Sequence, residues 1–234
     1  MRRILLAALA STAMAAGAHA GVVSLNFEGI NSTYPSGYAF INGYYDGGVS
    51  SDGTSGPNYG VTFSANAQAI CLNSLTVVCS NTSRGGLAPG SDKGALFFLS
   101  GNETTIDVAA GFKTGFSFNY TNPTGFASSV EVWSGPDGTG TELANFNLAM
   151  TPNGDTACPG YSAAFCPFEP IGVAFSGTAH SIIFGGVANE VVMDDVTFGS
   201  SSPGIPEPAT WVTMLAGLAG AGAMLRRRRA LAAA

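Results

Sequence analysis

The sequence predicts an all-β protein, a sandwich or barrel, and three observations carry that prediction. First, charged residues make up only 10% of the 234, while glycine alone numbers 32. Few charges with many β-branched and aromatic residues favour strands joined by turns over helices. Second, apolar side chains recur with a period of two. Phe116, Phe118 and Tyr120 interleave with Ser117 and Asn119, and Val130 and Val132 interleave with Ser129, Glu131 and Trp133. Third, short apolar or alternating runs at 22–27, 59–64, 95–99, 171–175, 181–184 and 191–198 are each bounded by Gly, Asn, Ser or Pro. Many short strands between turn signals suit a sandwich or barrel. Between 130–134 and 143–148 stands Pro136-Asp137-Gly138. Pro sets φ, Asp bonds locally and Gly accepts positive φ, so a hairpin is predicted there.

The two ends differ from this body. Met1-Arg2-Arg3 is followed by an apolar stretch to Ala16, then Ala18-His19-Ala20 before Gly21. A basic start, a short apolar run and an A-x-A site compose a secretory signal peptide over 1–20. The apolar stretch is shorter than the roughly 20 residues needed to span a bilayer, which argues for cleavage over anchoring. Residues 21–200 are the predicted ectodomain and 201–205 a linker. Beyond it come Pro206-Glu207-Pro208, Trp211, an apolar run over 212–225 and the cluster Arg226, Arg227, Arg228, Arg229, with 231–234 as a tail. The prolines bar a helix from starting before Pro208. Trp211 suits a membrane interface, and the Arg cluster flanks the segment on the cytoplasmic side. Residues 211–225 as a helix reach only about 22 Å at ~1.5 Å per residue. That is short of a ~30 Å hydrocarbon core, so the C-terminal transmembrane helix is a marginal anchor.

The order of motif, apolar helix and Arg cluster over 206–230 resembles the PEP-CTERM sorting signal, in its PEPxxW variety. The resemblance implies an exosortase-type sorting enzyme as partner, acting at the inner membrane of a Gram-negative bacterium that makes exopolysaccharide. Pro206, Glu207, Pro208 and Trp211 are then recognition residues for that enzyme. A looser resemblance spans the body. Leu25-Asn26-Phe27-Glu28-Gly29, Asn42-Gly43-Tyr44-Tyr45-Asp46-Gly47-Gly48 and 56–64 look like the ectodomain that often precedes such tails. Asp194-Asp195-Val196-Thr197-Phe198-Gly199 is similar to the last strand of galactose-binding-like jelly rolls. This implies a single jelly-roll sandwich with its first and last strands close together. Such folds often hold a calcium between an acidic residue after the first strand and an Asp on the last. The resemblance therefore implies a candidate structural calcium at Glu28 with Asp194 or Asp195, with Asp46 as a further candidate ligand. Six to eight hard oxygens, carboxylates and loop carbonyls together, are what calcium takes. Adjacent aspartates on a strand project to opposite faces, so one of the two normally reaches a given pocket.

Charge and cysteines narrow the chemistry further. Between Gly21 and Ile205 stand only Arg84, Lys93 and Lys113 against fourteen acidic residues, a net charge of −11. Such a body repels phosphate backbones, so nucleic acid is not the partner. Cys71 and Cys79, then Cys158 and Cys166, repeat one C-x7-C spacing. In an oxidising compartment four cysteines read as two disulfides with three connectivities, of which the local pairs Cys71–Cys79 and Cys158–Cys166 are favoured. Zinc spacing is absent, and His180 is the one histidine outside the signal segment.

No catalytic constellation emerges. The G-x-S-x-G elbow is missing, and His180 has no identifiable triad partners. The expectation is a non-catalytic cell-surface or extracellular-matrix protein that binds exopolysaccharide. The alternative is a secreted carbohydrate-active hydrolase on a sandwich scaffold. Candidate ligand contacts are Tyr44, Tyr45 and Tyr59, in a Tyr-, Gly- and Asn-rich loop over 34–60, because amphipathic rings on loops can stack on sugars.

Overall fold

A computed structural model describes residues 22–30, 37–73, 81–85, 94–152, 157, 166 and 168–202. The segments expected to be signal peptide and sorting tail lie outside these residues. Among the described residues there are only strands and turns, and no helix is long and apolar enough to cross a membrane.

The strands are β1 (Val23–Leu25), β2 (Tyr38–Phe40), β3 (Val61–Phe63), β4 (Ala67–Asn73), β5 (Asn81–Gly85), β6 (Gly94–Phe98) and β7 (Glu103–Phe112). They continue as β8 (Gly115–Thr121), β9 (Ser129–Trp133), β10 (Glu142–Asn147), β11 (Glu169–Ala174), β12 (Ala179–Gly185) and β13 (Val192–Phe198). Two sheets form a sandwich. The larger runs β11-β8-β13-β6-β4-β2, with β1 joined to β13 and β5 to β4. The smaller runs β10-β9-β12-β7-β3. Every run expected from period two falls on a strand. The structure adds β2, β4, β5 and β7, which alternation had not marked.

Period two also decides what is buried. Phe116, Phe118 and Tyr120 of β8 face the core, as do Val130 and Val132 of β9. Phe118 meets Phe184 of the opposite sheet edge-to-face at 5.1 Å between ring centres, and Phe116 meets the same ring at 6.5 Å. Burying one such ring contributes about 1.5–3 kcal/mol. A second apolar layer lies on the outer face of the larger sheet, where Ile70, Ala95, Phe97, Phe168 and Val192 cluster.

The predicted hairpin is present: β9 and β10 pair antiparallel, and Thr139 N–H donates to Pro136 O at 3.0 Å. The first and last strands are neighbours, with Val23 opposite Phe198 and Leu25 opposite Val196. On the same side of β13, β6 takes the other half through Met193 opposite Leu96. This seam, where β13 passes from β6 to β1, positions the site.

Candidate functional site

The seam contains a β-bulge. Along β13 and β8, Asp194 faces Asn119 but Thr197 faces Ser117, so three steps on one strand match two on the other. Met193 and Val196 both belong to the core, although three apart, because the extra residue is absorbed between them. Asp195 occupies the bulge with φ of 50°, a left-handed conformation that Asp tolerates better than most residues. Local bonds pin it: its N–H donates to Asp194 Oδ1 at 2.7 Å, and Thr197 Oγ1 donates to its carbonyl at 3.0 Å. The bulge thus re-aims one carboxyl out of the strand's alternation.

Glu28, just after β1, approaches from the other side. Its Oε1 accepts the Gly94 N–H at 2.8 Å. A side chain at position 94 would bring its Cβ within 2.0 Å of Phe27 O, so glycine is what lets the two backbones come this close. The third wall is the loop between β2 and β3, folded tightly on itself. Gly47 N–H donates to Pro57 O at 3.1 Å and Tyr59 N–H to Tyr45 O at 2.8 Å. Tyr45 and Tyr59 stack with ring centres 6.1 Å apart at 16°, and Tyr44 meets Tyr45 edge-to-face at 5.0 Å. The loop is tied to β1 by its hydroxyls. Tyr45 Oη accepts the Phe27 N–H at 2.9 Å, and Tyr44 Oη donates to Glu28 O at 3.3 Å.

Together these elements border an open cavity of about 290 Å³ lined by Ser24, Asn26, Glu28, Tyr44, Tyr45, Pro57, Tyr59 and Asp195. The Asp195 carboxyl is pushed up to about 6. Burial is the main cause, and the charge of Glu28 adds to it, against a lowering hydrogen bond from Asn119 Nδ2 at 3.1 Å. The Tyr44 hydroxyl is also raised, by burial first and then by Tyr59. The open Tyr59 ring, two carboxyls and small polar groups can stack on, and hydrogen-bond to, a hydroxyl-rich ligand.

Five of the sequence-predicted residues therefore meet in one place: Glu28, Asp195, Tyr44, Tyr45 and Tyr59. The other two candidate calcium ligands are elsewhere. Asp46 is exposed in the loop, its N–H donating to Gly43 O at 3.0 Å, and Asp194 is fully buried and does not line the cavity. Among the described residues no group of three or more His, Cys, Asp or Glu side chains converges to hold a metal. Glu28 and Asp195 offer carboxylate oxygens, and Ser24, Asn26 and loop carbonyls would have to complete the six to eight that calcium takes. Ser24 and Asn26 were missed, although their alternation with the buried Leu25 and Phe27 places them outward. Asn119 and Gly94 carry no local signal. Cys71 and Cys166 are buried and neither is a free thiol. Cys79, Cys158 and the whole sorting tail lie outside the described residues. His180 Nδ1 lies 3.2 Å from Val108 O.

Comparison with known proteins places one part of the chain. The PEP-CTERM protein-sorting motif matches residues 204–229. That motif implies an exported protein of a Gram-negative bacterium, processed by an exosortase. No curated protein matches the chain. Among solved structures, a family 6 carbohydrate-binding module is similar at 19% identity with a TM-score of 0.34, covering 60% of this chain and 87% of that one. The K2 cleaved adhesin domain of Lys-gingipain is similar at 12% identity with a TM-score of 0.40, covering 76% and 98%. At such TM-scores neither likeness bears on what this chain binds.

Proposed function

We propose that the chain is a non-catalytic cell-surface or extracellular-matrix protein that holds exopolysaccharide in the cavity between the β13 bulge and the tyrosine loop. The observation that carries this is the convergence of the open Tyr59 ring, backed by the buried Tyr44 and Tyr45, with Glu28, Asp195, Ser24 and Asn26 around one pocket. A pyranose offers apolar C–H faces to rings and a rim of hydroxyls to polar groups, which is the complement of that lining. Delivery follows from the tail: residues 212–225 and the Arg cluster hold the chain at the inner membrane until the motif is processed. Two local disulfides, Cys71–Cys79 and Cys158–Cys166, close loops of the exported body, and non-reducing peptide mapping checks that pairing.

A second reading has one observation in its favour. Glu28 and Asp195 share the cavity, and a carboxyl pushed up to about 6 suits a general acid opposite a second carboxylate. On that reading the chain is a carbohydrate-active hydrolase. A glycan array with the full chain in mild detergent separates the two. Retained glycan without released sugar supports the binding protein, released sugar supports the hydrolase, and no retention on any glycan contradicts both.

A further inference from the structure

We infer that the cavity selects a saccharide bearing free amino groups over its N-acetylated or purely hydroxylated counterparts. The inference rests on the saccharide reading of the same cavity and adds the chemical class of the ligand.

The lining is one-sided in charge. Its eight residues include two carboxyls and no Lys, Arg or His. An anionic glycan is repelled there, and a neutral one leaves the local field unused. An ammonium group meets both kinds of wall at once. The face of an aromatic ring is electronegative, and a cation within about 6 Å of a ring centre is attracted to it. Tyr44 and Tyr45 are buried in the core and reach the pocket only in part, whereas Tyr59, stacked on Tyr45, supplies its open ring. Tyr59 remains 46% exposed, which leaves its surface open to an entering ligand. Asp195, in the same lining, is half-buried, and the charge of Glu28 opposes its ionisation. A cation between them turns that mutual repulsion into two attractions. The net charge of −11 on the body over 21–205 further raises the local concentration of cationic ligands.

Rings and carboxyls also distinguish an amine from a bare metal ion. A divalent cation gains nothing from the open Tyr59 ring and draws on oxygens alone, carboxylate and carbonyl together. A protonated sugar amine uses ring and carboxyls both, with its ring stacked on tyrosine and its N–H groups donating to the carboxyls.

The test is calorimetric titration of the full chain, in mild detergent with chelator present, against three probes of equal length. They are a β-1,4-linked glucosamine oligomer, its N-acetylated form and a β-1,4-linked glucose oligomer. The glucosamine oligomer is expected to bind about tenfold or more tighter than the other two. Glu28→Gln and Asp195→Asn are expected to abolish that advantage, and Tyr59→Ala to weaken all three probes. Circular dichroism melts establish that each variant is folded. A surface control, Glu142→Gln, keeps the advantage; its loss there too would mean general attraction of a polycation to an acidic chain and would overturn the inference. Equal affinity for the three probes overturns the amine selection while leaving the saccharide site standing. No binding of any probe overturns both. Binding that appears only when calcium replaces chelator also overturns it, because the carboxyls would then be serving a metal.

Discussion

Two pairs of acidic residues lie on different sheets of this sandwich, and the fold treats them in opposite ways. Glu28 and Asp195 border a cavity. Asp107 of β7 and Asp137 of the β9–β10 turn are bonded to each other as a closed pair, although Asp137 stays exposed: Asp137 N–H donates to Asp107 Oδ1 at 2.8 Å, and the neighbouring Gly138 N–H donates to Ser181 Oγ at 3.0 Å. Ser181 Oγ in turn donates to Gly135 O at 2.6 Å. The hairpin tip is thus laid onto the smaller sheet. The Asp107 carboxyl is raised, first by burial and then by the charge of Asp137, against the lowering effect of that backbone donor. Both pairs contain a raised carboxyl, so a raised carboxyl alone does not mark a site. What differs is the covering element. At the hairpin the turn's own N–H caps Asp107; at the pocket the tyrosine loop pairs its backbone N–H groups within itself, and Glu28 takes its donor from Gly94 instead.

The comparison breaks most sharply at Gly94. A Cβ there would lie 2.0 Å from Phe27 O, and the close approach is what brings the 94 N–H to Glu28. Gly94→Ala is expected to cost about 3 kcal/mol or more in denaturant melts, as a backbone-level clash does, and to remove glycan binding with it. Gly138→Val attacks the closed pair instead. Its φ is 65° and its Cβ would meet Ile183 Cδ1 at 2.5 Å. Lifting the hairpin tip is expected to cost about 2 kcal/mol of stability, with glycan affinity unchanged, since the cavity lies on the other pair.

The smallest effect concerns pH. Asp195 has a folded value near 6 against an ordinary value of 3.8, so the fold favours its protonated form. Its stabilising contribution is complete below about pH 4 and is lost as pH rises through about 6. Asp195→Asn keeps an acceptor for Asn119 Nδ2 and tolerates positive φ. It is expected to match the parent in thermal melts near pH 4 and to exceed it at pH 7, by about 1 kcal/mol once screening at this partly exposed position is allowed for. A variant that is less stable at pH 7 would mean that the ionised carboxylate is the favoured form.

Strands were legible where one face is apolar and the other polar, as in β8 and β9. They were illegible where small residues fill the inward positions. In β4 the core-facing residues include Ala67 and Ala69, and β7 passes through Ala109, Ala110 and Gly111, so neither shows strong alternation. The site was legible in its chemistry but not in its assembly. Glu28 and Asp195 were singled out as candidates, and the rule of opposite faces allowed only one of Asp194 and Asp195. Which one depends on the bulge, a register shift between β13 and β8 that no local residue pattern announces. Asn119, which holds the Asp195 carboxyl, is 76 positions away and looks like any polar residue on an alternating strand. Asp46 lies beside Tyr44 and Tyr45 in sequence, yet the turn that packs the rings inward leaves Asp46 in solvent.

Saccharide is proposed to sit in the tyrosine-lined cavity and not on some other face. Tyr59 tests it most directly because it is the most exposed of the three rings and its loss leaves the core intact. Calorimetric titration of the parent and Tyr59→Ala with a glycan retained on the array is the measurement. The account predicts an affinity loss of about tenfold or more, the scale of one stacked ring, with the melting temperature held within about 2 °C, as expected of a surface substitution. Unchanged affinity in a folded Tyr59→Ala variant would contradict it.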